Sequence, residues 1–510
     1  MYKKVFSIVA LCFSLVTFSQ EEIIIFKNHL KTSSTGIKQV IPIVNKKNND
    51  ISIFIVDATK VYGYILNSNF KIINQLSSEN RSRKYKTLIG NSISDTNDYR
   101  VYLANTKRNK FASINFSYET NTSSFHEFSL KSKDEKFIQT AVFENRFYLI
   151  SVTKKTSILN IYSFDNEGNY SVNKIDFSQE RFINRENKNA SLYELLTISG
   201  GLYGTKSSTD VKKITENTPN SIEVASAYRK FYLRDQKIVF SFDQNKNFSQ
   251  IILIDLVSFE KEVKRFKKPF NEIQSVSKKT NTYLNGDYIY AIASTPKKFI
   301  FTVQKFDSGE IVKEYSATVN DTIIFKNTPI IQKGGMYDDY RELEKTRKFL
   351  RKISSGDIGI SIHLAYNKYQ ITLGGKIEQT TGGAGISFFG TQKGVLQGIA
   401  KGVQISKGTS RQIDVKMNHL GYVNPYFNPI FNNFYYYTQT KSTYIKCLFD
   451  TDFNHVTGEI KDNAFDKMKE FKEKDHYYPN GKTVFKYKDF YILGNYFSGS
   501  KAYRLRKFED

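Results

Sequence analysis

Residues 146–177 read RFYLISVTKKTSILNIYSFDNEGNYSVNKIDF. Two runs rich in β-branched and aromatic residues, RFYLISV (146–152) and SILNIYSF (157–164), flank the short polar turn TKKT. The turn DNEGN then leads into a third run, YSVNKIDF (170–177). Period-2 alternation between turn clusters predicts antiparallel strands. The second turn opens on an aspartate, whose carboxylate can accept from the backbone two residues on, and contains a glycine, which tolerates positive φ.

The same order recurs at 287–317. DYIYAIA passes through STPKK into FIFTVQKF, then through DSG into EIVKEYSA. Related runs are ISIFIVD (51–57), KVYGYIL (60–66), KIVFSFD (237–243) and TYIKCLF (443–449). Taking the second turn as a marker gives Asn67, Glu119, Asp165, Asp255, Asp307 and Asp450, spaced by multiples of roughly 45 to 52 residues. That period suits blades of about four antiparallel strands. Strand-pair modules fall near residues 51, 99, 146, 237, 287, 358, 433 and 488, so seven or eight blades are expected. EEIIIF, residues 21–26, is placed to complete the last blade and remove an exposed edge.

The chain thus resembles β-propeller proteins, and its turns FDNEG and FDSGE resemble the Asp-Gly hairpins of secreted bacterial propeller repeats. The resemblance implies an all-β fold closed by an N-terminal strand. It carries no functional residues, because the chain has no Trp and its Ser163, Asp165 and Gly168 are misspaced for an Asp-box.

Three insertions are expected in an otherwise single domain spanning 20–510. They lie near 178–236, near 337–354, read as a helix with Tyr340, Leu343, Leu350 and Ile353 on one face, and near 374–416, a glycine-rich stretch. A second helix is expected over 464–474.

Residues 1–19 read as a signal peptide, with Lys3 and Lys4, then an apolar stretch from Val5 to Phe18, then cleavage between Ser19 and Gln20. Export to the periplasm, outer surface or extracellular space follows as the expectation. The apolar stretch falls short of the roughly 20 residues that span a bilayer, and no later segment qualifies. Cys447 is then the one mature thiol, in apolar alternation that reads as core.

Lys+Arg number 75 against 50 Asp+Glu, a net charge of +25. Such a balance favours anionic partners: an acidic glycan, a lipid surface or an acidic envelope protein. Basic residues spread along the chain rather than forming a block, which gives no specific sign of nucleic-acid binding. The 374–416 insertion carries Lys393, Lys401, Lys407 and Arg411, candidates for anion binding on a loop. After it, NPYFNPIFNNFYYY (424–437) reads either as blade core or as a sugar-stacking surface.

No catalytic motif is complete. GGLYGTKS displaces its lysine from the phosphate-loop register, and neither G-x-S-x-G nor H-E-x-x-H occurs. Asp450, Asp452 and Asn454 alternate as in a calcium loop, but His455 stands where glycine is wanted and Lys461 where a bidentate glutamate is wanted. No cofactor is predicted. Two readings result: a non-catalytic envelope binding or scaffold protein, or a polysaccharide hydrolase or lyase with acids and His363, His419 or His455 gathered in the channel. A lysine-lined surface favours the first; carboxylates converging with a histidine favour the second.

Overall fold

A computed structural model describes residues 21–28, 39–197, 211–270, 277–378 and 440–510, apart from short breaks inside these spans. Among the described residues the chain forms seven sheets of four or five strands, each with antiparallel core pairing. We call these sheets blades 1 to 7 and their strands a to d from the inside outward.

Blade 1 is Gln39–Val44, Ile51–Val56, Val61–Leu66 and Ile72–Ser77. Blade 2 is Thr87–Ile93, Tyr99–Ala104, Phe111–Ser117 and Thr122–Phe128. Blade 3 is Glu135–Phe143, Arg146–Thr153, Ile158–Phe164 and Tyr170–Asp176. Blade 4 is Arg229–Arg234, Lys237–Phe242, Phe248–Asp255 and Lys261–Lys267, with the short parallel Lys212–Lys213 inside it. Blade 5 is Lys279–Asn285, Tyr288–Ser294, Lys298–Lys305 and Ile311–Thr318. Blade 6 runs from Asp357–Ala365 through Lys368–Glu378 and Thr440–Phe449 to Ile330–Gly334 and Asp339–Leu343. Blade 7 is Asn480–Tyr487, Phe490–Phe497 and Ala502–Phe508, with Glu21–Lys27 as its d strand.

Middle strands such as Ile51–Val56 are buried at every position, because each blade packs a face against both neighbours. Alternation survives on the outer strands, where KEVKRFK (261–267) leaves charged residues on the exposed edge and discourages further strand pairing. With no Trp in the chain, Phe and Tyr fill the wedges between blades. Tyr102 stacks on Phe147 with ring centroids 4.1 Å apart between blades 2 and 3, and Phe54 meets Phe116 at 5.0 Å between blades 1 and 2.

One apolar cluster joins blades 7 and 1, a second joins 1 and 2, a third 2 and 3, a fourth 3 and 4, and a fifth runs through 4, 5 and 6. Four helices are described: α1 (Leu192–Thr197), α2 (Ile222–Ala225), α3 (Thr346–Ser354) and α4 (Ala464–Lys474). The last link is α4, capped by the Asn463 side chain, which accepts from the backbone N–H of Phe465 and Asp466. Its Phe465 packs on Tyr491 of blade 7 at 4.6 Å and on His363 of blade 6. The circle of contacts is thereby complete.

The expected closing strand is present. Glu21–Lys27 pairs antiparallel with Ala502–Phe508, from Glu21 opposite Lys507 to Lys27 opposite Ala502. Phe26 anchors it between Tyr64 and Tyr503, with centroids at 4.7 and 5.7 Å.

Three expectations are corrected in detail. The modules near 358 and 433 belong to one sheet, because Thr440–Phe449 pairs along the whole of Lys368–Glu378. The 337–354 helix is half strand: Asp339–Leu343 pairs with Ile330–Gly334, and only Thr346–Ser354 is helical. The 178–236 insertion is shorter than expected, since Arg229–Arg234 is the a strand of blade 4. Residues 379–439, which hold most of the glycine-rich stretch and the aromatic run, lie outside the described residues. So do Ser19 and Gln20.

Deleting residues 21–27 should lower the thermal midpoint by several degrees, because it exposes the edge of blade 7 and removes the Phe26 anchor, a burial worth about 3–5 kcal/mol on truncation of such a ring. Differential scanning calorimetry of chains starting at Gln20 and at Asn28 checks this; equal midpoints contradict closure by this strand.

Candidate functional site: a charge-sorted ring

Antiparallel order sends the a–b and c–d turns of a blade to one end and the b–c turn to the other. Neighbouring a–b turns touch: Asn45 Nδ2 donates to Asn97 Oδ1 at 3.2 Å, Lys47 pairs with Asp95 at 3.0 Å, and the Ile93 N–H donates to Asn145 O at 3.0 Å. The blades are therefore in phase, and their turns form two faces.

Those faces differ in charge. In blades 2 to 5 the a–b and c–d turns (94–98, 118–121, 144–145, 165–169, 235–236, 256–260, 286–287 and 306–310) hold eleven acidic residues and no lysine or arginine. The b–c turns of the same blades (105–110, 154–157, 243–247 and 295–297) hold seven basic residues and one acid, Asp243. Turn chemistry explains the acidic side. Asp165 Oδ1 accepts from the Asn169 N–H at 2.8 Å, and Asp255 Oδ1 accepts from Val257 and Ser258 at 2.8 and 2.9 Å. Gly168 and Gly309 sit at φ +89° and +74°, a region that disfavours a side chain. Helix α3 adds to the basic side, with Phe349, Leu350 and Ile353 buried and Lys345, Arg347, Lys348 and Arg351 exposed.

Beneath the basic face, where blades 4 and 5 meet, lies a cluster of buried charges. Lys230, Lys268, Lys278 and Asp243 are each exposed by 2% or less. Asp243 accepts from Lys230 Nζ and Lys268 Nζ, both at 2.9 Å, and from the Thr282 hydroxyl at 2.9 Å. Lys268 also donates to the carbonyls of Asp243 and Asn245 at 3.1 and 2.9 Å. Lys230 donates to Asn281 Oδ1, whose Nδ2 bridges to Ser226 O and Ile358 O at 2.9 and 2.8 Å, tying in blade 6. Lys278 donates to Asn247 Oδ1 at 3.1 Å and Phe270 O at 2.6 Å. Burial alone would raise the Asp243 pKa, but the two ammonium groups hold it at about 2. Burial pushes the Lys278 ammonium down to about 8, helped by Lys268 and Lys246 nearby.

The sequence-predicted candidates fall elsewhere. Asp450 Oδ1 accepts from the N–H groups of Asp452 and Asn454 at 3.0 and 2.7 Å, and Asn454 Oδ1 takes Lys313 Nζ, so this string builds the turn that follows Thr440–Phe449 of blade 6. No group of three or more His, Cys, Asp or Glu that could hold a metal converges among the described residues. His455 lies 3.1 Å from Asn327 Oδ1, while buried His363 faces Phe465 and Asp510, 3.8 Å away. Cys447 is fully buried, and burial pushes its thiol pKa up. His419, Lys393, Lys401, Lys407 and Arg411 lie outside the described residues. No described helix is long and apolar enough to cross a membrane. Sequence reasoning missed the buried lysines, whose one local signal is Lys230 at the head of the apolar run FYL (231–233).

No family model matches the chain, and no curated protein matches its sequence. The solved structures that match include β-propellers. The Nup133 β-propeller domain of Vanderwaltozyma polyspora is 12% identical over 69% of this chain and 84% of that one, with a TM-score of 0.29. Hsv2 of Kluyveromyces lactis is 12% identical over 67% and 73%, at 0.27. AofleA of Arthrobotrys oligospora is 7% identical over 70% and 83%, at 0.25.

A lysine whose folded pKa lies below its unfolded value of about 10.4 costs stability while both states are protonated. That cost is complete below about pH 8 and is relieved as pH rises above the folded value of Lys278. The urea midpoint of the wild type relative to Lys278→Met should therefore rise between about pH 7.5 and 9.5, short of tyrosine ionisation. A pH-independent difference contradicts the assignment.

Proposed function

We propose that this chain is an exported, non-catalytic binding protein that grips an anionic envelope glycan with the basic face of its ring. The observation that carries the reading is the sorting of charge between the two faces. In sequence the basic residues look scattered, whereas in blades 2 to 5 they gather where b–c turns meet solvent, with α3 beside them. Among the described residues five basic side chains (Arg100, Arg229, Lys230, Lys268 and Lys278) are buried against three aspartates (Asp57, Asp243 and Asp255), a balance that suits electrostatic capture better than acid–base catalysis.

A glycan is favoured over a lipid surface. The b–c turns of blades 2 to 5 expose no large apolar side chain, and stable attachment to a bilayer draws on buried apolar area as well as charge. Lysine and arginine spread across a face can follow a flexible polyanion instead, with an affinity that falls as salt screens the charges.

A triple variant, Lys107→Glu, Lys155→Glu and Lys297→Glu, should weaken binding to a uronic-acid polysaccharide by at least about tenfold, since three exposed pairs at roughly 0.5 kcal/mol each sum to that. Reversing Lys46, Lys71 and Lys488 on the opposite face should leave binding near the wild-type value. Biolayer interferometry measures both, with chromatography of the polymer as a cleavage assay. Equal loss from both variants, or depolymerisation by the wild type, overturns the reading.

A further inference from the structure

We propose that the corner between blades 4 and 5, around Lys278, Lys268, Lys246 and Lys279, is a binding site for a phosphate monoester carried on the glycan. The inference rests on the glycan-binding reading and names the group that anchors the chain.

Among the described residues three ammonium groups are buried here against one buried carboxylate, Asp243. Each buried ammonium has oxygen acceptors, so hydrogen bonding is satisfied while charge is not. An excess of two positive charges remains in a medium where an uncompensated charge is costly. At the rim stand Lys246 and Lys279, with Arg185 near Lys246. Lys246 belongs to the b–c turn whose carbonyl takes the Thr280 hydroxyl at 3.3 Å, so blades 4 and 5 hold the rim together. Asp357 accepts from the Tyr228 hydroxyl at 2.8 Å.

A doubly charged tetrahedral oxyanion matches this arrangement in charge. Lysine suits it as a compact point charge that needs no bidentate geometry. A carboxylate or sulfate ester would bring a single charge and leave one in excess. The excess is thus a cost carried by the unliganded fold and removed by the ligand.

The test is thermal melting of the wild type, Lys278→Met and Lys488→Met with inorganic phosphate, a sugar phosphate, or sodium chloride at equal ionic strength. Millimolar phosphate should raise the wild-type midpoint by several degrees over the chloride control. Lys278→Met should melt higher than the wild type without phosphate and lose the phosphate shift, while Lys488→Met, on the opposite face, should keep it. A purely structural Lys278 would give the opposite pair: a lower midpoint and an unchanged shift. If Lys278→Met fails to fold, the double variant Lys246→Ala and Lys279→Ala replaces it and should cut the shift at least about threefold. No wild-type shift above chloride, or a shift retained in the variants, overturns the site. A shift with the sugar phosphate but not with inorganic phosphate assigns the group to a glycan. Glycan binding without any phosphate shift leaves the proposed function standing and removes this site; a phosphate shift without glycan binding does the reverse.

Discussion

Antiparallel pairing inside each blade is the constraint on which the rest of this structure depends. It forces successive turns to opposite ends of the sheet, so a turn's position in the a-to-d order decides which face it joins. Asp and Asn cap turns at both ends, as Asp165 and Asp255 do at c–d positions and Asn105 and Asn245 at b–c positions. In blades 2 to 5 the acids fall at the a–b and c–d turns and the lysines at the b–c turns, so these blades have an acidic side and a basic side.

The same in-phase arrangement brings strand termini of adjacent blades within hydrogen-bond reach, and so creates the buried cluster. Lys230, Asp243, Lys268 and Asn281 come from four different segments. Blade 4 brings the first three together, and its packing against blade 5 adds Asn281. Breaking one partner of such a group leaves an uncompensated buried charge, which is why the cluster also fixes the register between the blades.

Local chemistry made much of the fold legible in the sequence. Four of the six marker turns are held by the marker's own side chain, as Asn67, Asp165, Asp255 and Asp450 each accept from a backbone N–H within five residues, so their signal is local. The closing strand was legible for a similar reason: an apolar run at 21–26 needs a partner. What failed was non-local. Residues 339–343 have a spacing that suits a helix, yet the free edge of Ile330–Gly334 recruits them as a strand. The strand at 440–449 reads as a new module because 61 residues separate it from its partner Lys368–Glu378. The charge sorting was hidden because it needs knowledge of which turns share a face. The buried lysines looked like ordinary surface residues, since their partners lie 8 to 51 positions away.

Lysine footprinting is the most direct test of the claim that one face of the ring carries the binding. The protein is acetylated in the presence and absence of a phosphorylated acidic polysaccharide, and modification at each lysine is read by mass spectrometry. The account predicts protection at Lys107, Lys155, Lys297 and Lys348, with Lys46, Lys71 and Lys488 labelled as in the free protein. Protection spread evenly over both sets would contradict it.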